Sequence, residues 1–313
     1  MRGWTLVVAV MALLASCRDG RKALLPESTG RAYEALIVGD SKATDIVRSV
    51  LQEPMEGLPQ QEPWFDVSVA DSKRLNATLR SARCLIVTSI GENSGNSISV
   101  GYDVYAAPQV VVRIKATSAE QLSRMMRTRA TTLRELLTEN EMKTARQQLE
   151  RRHNTEAERT ARQMFGVEMR IPEDMTSSKR GDNFLWLSNN AADGMQNICL
   201  YIYKKGIATD GIDWRTLRDS VMAANIPGEE PGMVMRTATE GLTTSSRDGT
   251  TICRGLWEME GDMMGGPFVS LAVADTVRKH IVVAEAFVYA PSREKRNLLR
   301  QTEAALQTLR TAP

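Results

Sequence analysis

The chain has 313 residues, 42% hydrophobic and 25% charged, with 40 Lys and Arg against 38 Asp and Glu. This is a globular mixture with the length for one large domain or two smaller ones, which excludes a collagen, a disulfide-dense miniprotein and a wholly disordered chain. A net charge of only +2 gives no global electrostatic reason to expect a nucleic-acid partner.

Met1 and Arg2 make a positive start, and Trp4–Ala15 is an uncharged, mostly apolar run of twelve residues. A spanning helix needs about 20 such residues, so the run reads as the apolar core of a secretory signal. Leu14-Ala15-Ser16-Cys17 then resembles the lipobox of bacterial lipoproteins. That resemblance implies a diacylglycerol thioether on Cys17, cleavage between Ser16 and Cys17, and palmitate-type acyl chains that hold the protein to a membrane. Each buried acyl methylene contributes about 0.8 kcal/mol, so two or three chains anchor firmly. Arg18 follows, and no acidic run comes after it. Surface-exported lipoproteins of Bacteroidetes often carry such a run. Its absence points to an outer-membrane anchor facing the periplasm.

The expected segments are a signal peptide over 1–16, a lipidated tether over 17–30, an N-terminal α/β part over 31–165 and a C-terminal α+β part over 166–313. Tyr33–Val38 predicts a strand and Thr44–Leu51 an amphipathic helix, followed by a proline-rich loop to Pro63. Phe65–Val69 alternates as a strand, and Asp71 or Ser72 caps a helix through Arg80. Cys84–Ile90, Ile98–Tyr105 and Gln109–Ala116 predict further strands. Ser118-Ala119-Glu120-Gln121 is a capping-box pattern opening a helical region to about Phe165, with breaks expected near Asn140 or Asn154. Its mixed charges read as a solvated face rather than a basic arm for phosphates.

After Gly166, strands are predicted at Val167–Ile171, Phe184–Leu187 and Ile198–Tyr203. Asp213 caps a helix to Ala224 with Leu217 and Val221 facing inward. Met233–Thr237, Thr251–Glu260, Phe268–Ala274 and His280–Tyr289 read as an antiparallel series. A last helix is capped by Ser292, with Lys295, Arg296 and Arg300 mainly away from its apolar face. The order predicts an α+β fold, mixed α/β in its first half, in two layered parts with a mainly antiparallel sheet against helices.

Several stretches together resemble an uncharacterised family of Bacteroidetes lipoproteins, the domain of unknown function 4837. They are Arg254–Ser270, Glu285–Pro291, Lys295–Gln301 and Phe184–Leu187, with Leu24-Leu25-Pro26 and Gly57–Gln60 at the other end. The likeness reads as covering essentially the whole mature chain. It brings no activity, catalytic residue or ligand, and it supports the lipoprotein reading.

Chemistry-bearing residues are sparse. Gly261–Pro267 is glycine-rich, but a strand follows it where a phosphate loop requires a helix. Glu258 and Glu260 share one face of a predicted strand about 7 Å apart, with Asp262 in the next turn and Trp257 and Met259 facing the core. Trp257, Glu258, Glu260 and Asp262 are therefore the candidate ligand-binding residues. The three carboxylates also carry the alternative of an envelope-glycan hydrolase. Clustering in a concave pocket would favour that alternative, and splaying on an outer face would end it. Trp186, Tyr201, Tyr203 and Trp257 form a second candidate lining, for sugar or peptide. His153 and His280 sit in no metal or nucleophile motif, so no catalytic residue, metal or cofactor is expected. Cys84, Cys199 and Cys253 read as isolated thiols, with a Cys199–Cys253 bridge open if their strands adjoin. The function expected is a lipid-anchored, non-enzymatic binding or assembly factor with an envelope protein or glycan as partner.

Overall fold

The computed structural model describes residues 25–204, 206–209, 211–247 and 249–312. The leader, Ser16 and Cys17 lie outside the described residues. No helix among the described residues is long and apolar enough to cross a membrane. The chain divides into two units: one takes the chain to Glu53 together with Pro63–Asn140, and the other takes Pro54–Glu62 and Glu141–Pro313.

The first unit is built on five strands in the order β2-β1-β3-β5-β4: β1 Glu34–Val38, β2 Asp66–Ala70, β3 Cys84–Ile90, β4 Ser97–Tyr102 and β5 Val110–Ala116. β4 is antiparallel to β5 and the other pairs are parallel, as the strand–helix alternation of the first half predicts. Alternation along the strands splits the core. Ala35, Ile37, Cys84, Ile86, Val110, Val112 and Ile114 pack with α1 (Ser41–Leu51) and the start of α3 (Ala119–Leu149). Val38, Leu85 and Val111 form a smaller cluster on the other face with Leu75, Val104 and Tyr105. The helix expected from Asp71 to Arg80 is instead a 3-10 turn, Ser72–Arg74, and a short helix α2, Ala77–Arg80. Asp71 accepts from the Lys73 amide at 2.7 Å and Asn76 from the Leu79 amide at 3.0 Å. Two capping side chains so close together each start their own turn. Likewise the long helix stops at Leu149. Asn154 caps α4 (Thr155–Phe165), so the break falls near Asn154, and Gly166 in the left-handed region ends it.

The second unit holds an eight-stranded antiparallel sheet: β10 Val234–Thr237, β12 Thr250–Glu260, β13 Gly265–Asp275, β14 His280–Tyr289, β9 Met195–Tyr203, β8 Phe184–Ser188 and β7 Ser177–Gly181 in that order, with β11 (Thr243–Arg247) also on β12. A two-stranded ribbon, β6 (Val167–Glu168) with β15 (Arg310–Thr311), stands apart from it. Leu185, Leu200, Val269, Val282, Ala284 and Val288 pack on one face with residues of α4 and of α6 (Arg296–Leu306). Cys199, Tyr201, Trp257, Phe268, Val283 and Phe287 pack on the other with Met222 of α5 (Trp214–Asn225). The α+β class is what the element order predicts.

Ser292 does not cap α6. Its φ is 64° and it lies in the loop before the helix. The cap comes from Glu62, whose carboxylate accepts from the amides of Lys295 at 2.7 Å and Arg296 at 2.8 Å. Lys295, Arg296 and Arg300 are buried rather than turned outward. Arg254 and the buried Glu303 pair across to the same helix, and Gln196 donates to the Leu298 carbonyl and the Thr302 hydroxyl at 2.9 and 2.8 Å.

The glycine-rich stretch is explained by strand packing. Gly265 and Gly266 belong to β13, opposite Glu258 and Trp257. The Trp257 indole reaches over Gly266 and donates to the Val288 carbonyl at 3.2 Å. A Cβ at Gly266 would lie 2.0 Å from that carbonyl oxygen, which is backbone and cannot yield cheaply. Gly266→Ala should therefore cost about 1–3 kcal/mol, the usual range for overpacking, with loss of the Trp257–Val288 bond. Denaturant unfolding followed by tryptophan fluorescence checks it, and an unchanged midpoint would contradict the packing account.

Candidate binding cleft over a buried ion pair

Glu285 is a lone carboxylate in the middle of the apolar strand β14, and it is fully buried. The sheet register sets it in a lateral row with Ser270 on one side and Cys199 on the other, flanked by Cys253 and Trp186. An unpaired buried carboxylate would cost several kcal/mol. Arg218, projected inward from α5, supplies the counter-charge. Its Nε lies 3.0 and 3.1 Å from the two carboxylate oxygens and its Nη2 2.9 Å from Oε1. Ser270 donates to Oε2 at 2.8 Å.

The remaining donors of Arg218 are also used. Nη1 donates to Thr237 Oγ1 at 3.1 Å, and the guanidinium lies 3.9 Å from the Phe268 ring centroid. Asp219 accepts from both the amide and the hydroxyl of Thr237 at 2.7 Å. Arg215 donates to the carbonyls of Thr237, Ala238 and Thr239. α5 is thus pinned to β10 and β14 by charge as well as by Met222. The expected inward pair Leu217 and Val221 is only half-buried, and Arg218 with Met222 takes the inner position. Burial first, and the Glu285 carboxylate second, hold the Cys199 thiol and the Tyr201 phenol well above their usual pKa values. Burial pushes Cys253 up to about 11.

Beside this pair opens a cleft of about 550 Å³. Phe184, Tyr201, Tyr203, Ile212, Leu217 and Val221 give it an apolar lining, and Asn183, Lys204, Thr216 and Ser220 are among its polar groups. Asp213, also on its rim, caps α5 by accepting from the Thr216 amide and hydroxyl, which lowers its pKa. Of two other clefts, one of about 530 Å³ mixes Leu149, Pro172 and Met175 with glutamines and the paired Arg152 and Glu173, and one of about 520 Å³ is dominated by charged residues such as the paired Arg162 and Glu168. The α5 cleft joins aromatic walls to polar groups at its mouth, the combination that suits a ligand.

Residues 154–308 match the domain of unknown function DUF4837, and residues 28–150 match the domain of unknown function DUF8532. Residues 154–308 form a DUF4837 domain. The likeness expected over the whole mature chain is corrected accordingly: Gly57–Gln60 lies within the DUF8532 match, and Leu24-Leu25-Pro26 lies outside both. A crystal structure from Bacteroides thetaiotaomicron VPI-5482 is similar at 13% identity, over 47% of this chain and 46% of its own, with a TM-score of 0.24. This chain thus spans about half the length of that solved structure. No curated protein matches.

Within the DUF4837 domain the sequence-predicted residues separate. Trp257 is buried and packs edge-on against Phe287. Glu258, Glu260 and Asp262 are exposed on the outer side of β12 and its turn. Arg236 pairs with Glu260 at 2.6 Å, and Asp262 accepts from the Met263 amide. This splayed arrangement does not meet the condition set for the glycan hydrolase. All four predicted aromatics pack in one core cluster; Tyr203, half-buried, and Tyr201, buried, also border the α5 cleft, while Trp186 and Trp257 do not. His153 and His280 lie beside Glu158 and Asp275, and no group of metal-ligating side chains occurs among the described residues. Cys84, Cys199 and Cys253 are free and buried. β13 and β14 stand between Cys253 and Cys199, roughly 14 Å of sheet, about twice what a disulfide spans.

Sequence reasoning missed Arg218 and Glu285. The available signal was the single carboxylate inside His280–Tyr289, which demands a buried cation from another element. Arg218→Met should cost about 3–5 kcal/mol by stranding Glu285, and Arg218→Met with Glu285→Leu should recover much of it. A double-mutant cycle on thermal unfolding measures this; additive losses would contradict a direct pair.

Proposed function

We propose that this protein is a lipid-anchored binding or assembly factor of the bacterial cell envelope. In this reading Cys17 holds it to the outer membrane through diacylglycerol and palmitate-type chains, facing the periplasm. The α5 cleft takes a segment of an envelope protein or glycan. The anchor rests on the charged start, the short apolar run and the lipobox-like Leu14–Cys17. The cleft is the observation that carries the binding role. It offers aromatic and aliphatic walls for an apolar face of the partner, and amide, hydroxyl and ammonium groups for its polar atoms. One wall is α5, which the Arg218–Glu285 ion pair ties to the sheet.

Two measurements test the proposal. Mass spectrometry of the protein from native envelopes should find an acylated Cys17 as the amino terminus. A photo-crosslinker at Ser220, on the cleft, should capture a partner in intact envelopes. One at Val277, which is 70% exposed on the β13–β14 turn, should not. Capture at Ser220 should fall sharply in Cys17→Ala. An unacylated terminus contradicts the anchor, and equal capture at both positions contradicts the cleft.

A further inference from the structure

Strand β4 is an edge of the five-stranded sheet and carries an apolar row open to solvent. Ile98, Val100 and Tyr102 are 36%, 38% and 58% exposed. They stand opposite Ile114, Val112 and Val110 on one face of the sheet. Exposed apolar edges of this kind are ordinarily blunted by charge or proline, and the six residues of β4 hold neither.

Where the described chain begins bears on what covers this row. The amide of Val110 donates to the Arg83 carbonyl, and the amide of Arg83 donates to the Thr29 carbonyl, at 2.8 and 2.9 Å. Pro26 and Ser28 bond to Ala107 on the same side. The segment 26–29 is therefore bound at the end of the sheet where Tyr102 stands opposite Val110. From Leu25 back to Cys17 is eight residues, a reach of at most about 28 Å. If Cys17 is acylated, as proposed above, this end of the sheet cannot leave the neighbourhood of the bilayer.

We propose that Ile98, Val100 and Tyr102 form a membrane-contact edge that rests in the lipid interface and orients the N-terminal unit. This rests on the anchor reading. The chemistry fits: Tyr favours the headgroup level, with its ring toward the apolar side and its hydroxyl toward water. A second copy fits less well, because three side chains fall far short of the roughly 1,000 Å² that a stable protein interface needs. A tethered surface needs no such area, since the anchor keeps it at high effective concentration.

The test uses the full-length lipidated protein, with Cys17 acylation first verified by mass spectrometry. Variants Tyr102→Cys, Ile98→Cys and Val69→Cys are labelled with the environment-sensitive dye NBD and reconstituted in vesicles of phosphatidylethanolamine and phosphatidylglycerol. Val69 is 47% exposed on β2, the opposite edge of the same sheet, and the native thiols at 84, 199 and 253 are buried. The dye at 102 and at 98 should shift to the blue and be quenched by nitroxide-labelled lipids, and the dye at 69 should do neither. With Cys17 acylated, equal behaviour at 102 and 69 overturns the membrane edge and leaves the anchor standing. A blue shift that instead grows with protein concentration in lipid-free detergent assigns the row to self-pairing and also overturns it. An unacylated Cys17 removes the anchor reading and this inference together.

Discussion

A single buried charge pair organises the side of the second unit on which α5 packs. Glu285 has no access to water, and the sheet around it is apolar. It is tolerable only because Arg218 and Ser270 satisfy both of its oxygens, and because Arg218 in turn finds Thr237 and the Phe268 ring. The pair adds little net stability over an apolar substitute of equal volume. What it supplies is position, since Arg218 on α5 meets Glu285 and Thr237 where that helix lies on the sheet. The α5 cleft is lined by that helix and the residues just before it, by β8 and β9, and by the turn at Asp182 and Asn183. Burial first, and the Glu285 carboxylate second, raise the Cys199 thiol and the Tyr201 phenol in the same layer.

The opposite face of the sheet is fastened by a related device. α6 has no side-chain cap of its own, and its first amides are met by Glu62 from a loop far earlier in the chain. Leu58 packs on the same core, and Gln60 donates to the Arg293 carbonyl. The loop Pro54–Glu62 therefore belongs to the second unit, although it lies within the stretch matching DUF8532. The two domain matches are thus not two independent pieces of chain, because the DUF4837 domain borrows its helix cap from the sequence before it.

Most strands and helices were legible because their apolar periodicity is local. β3, β5, β9 and β14 are continuous buried runs, and α1 shows its stripe directly in sequence. The three strands that escaped, Ser177–Gly181, Thr243–Arg247 and the two-residue Arg310–Thr311, are polar in sequence; the ladders to β8, β12 and β6 make them strands, not burial. The inward placement of Arg218, Arg296 and Arg300 escaped for a different reason. A charged residue reads as surface until its buried partner is known, and the partner of Arg218 lies 67 residues away. The cleft was half legible. Tyr201 and Tyr203 were picked out by alternation, but Trp186 and Trp257 follow the same pattern and serve the core. The carboxylates of β12 were placed correctly on one face, and that face is the outer one.

Native-state hydrogen exchange on Glu285→Gln would test the role of the buried pair most directly. If the charge pair seats α5, amides of Trp214–Asn225 should lose most of their protection, while those of β14 and β9 beneath keep theirs. Protection of α5 that is unchanged, or lost evenly across the whole sheet, would show that the helix is held by something other than Arg218 and Glu285.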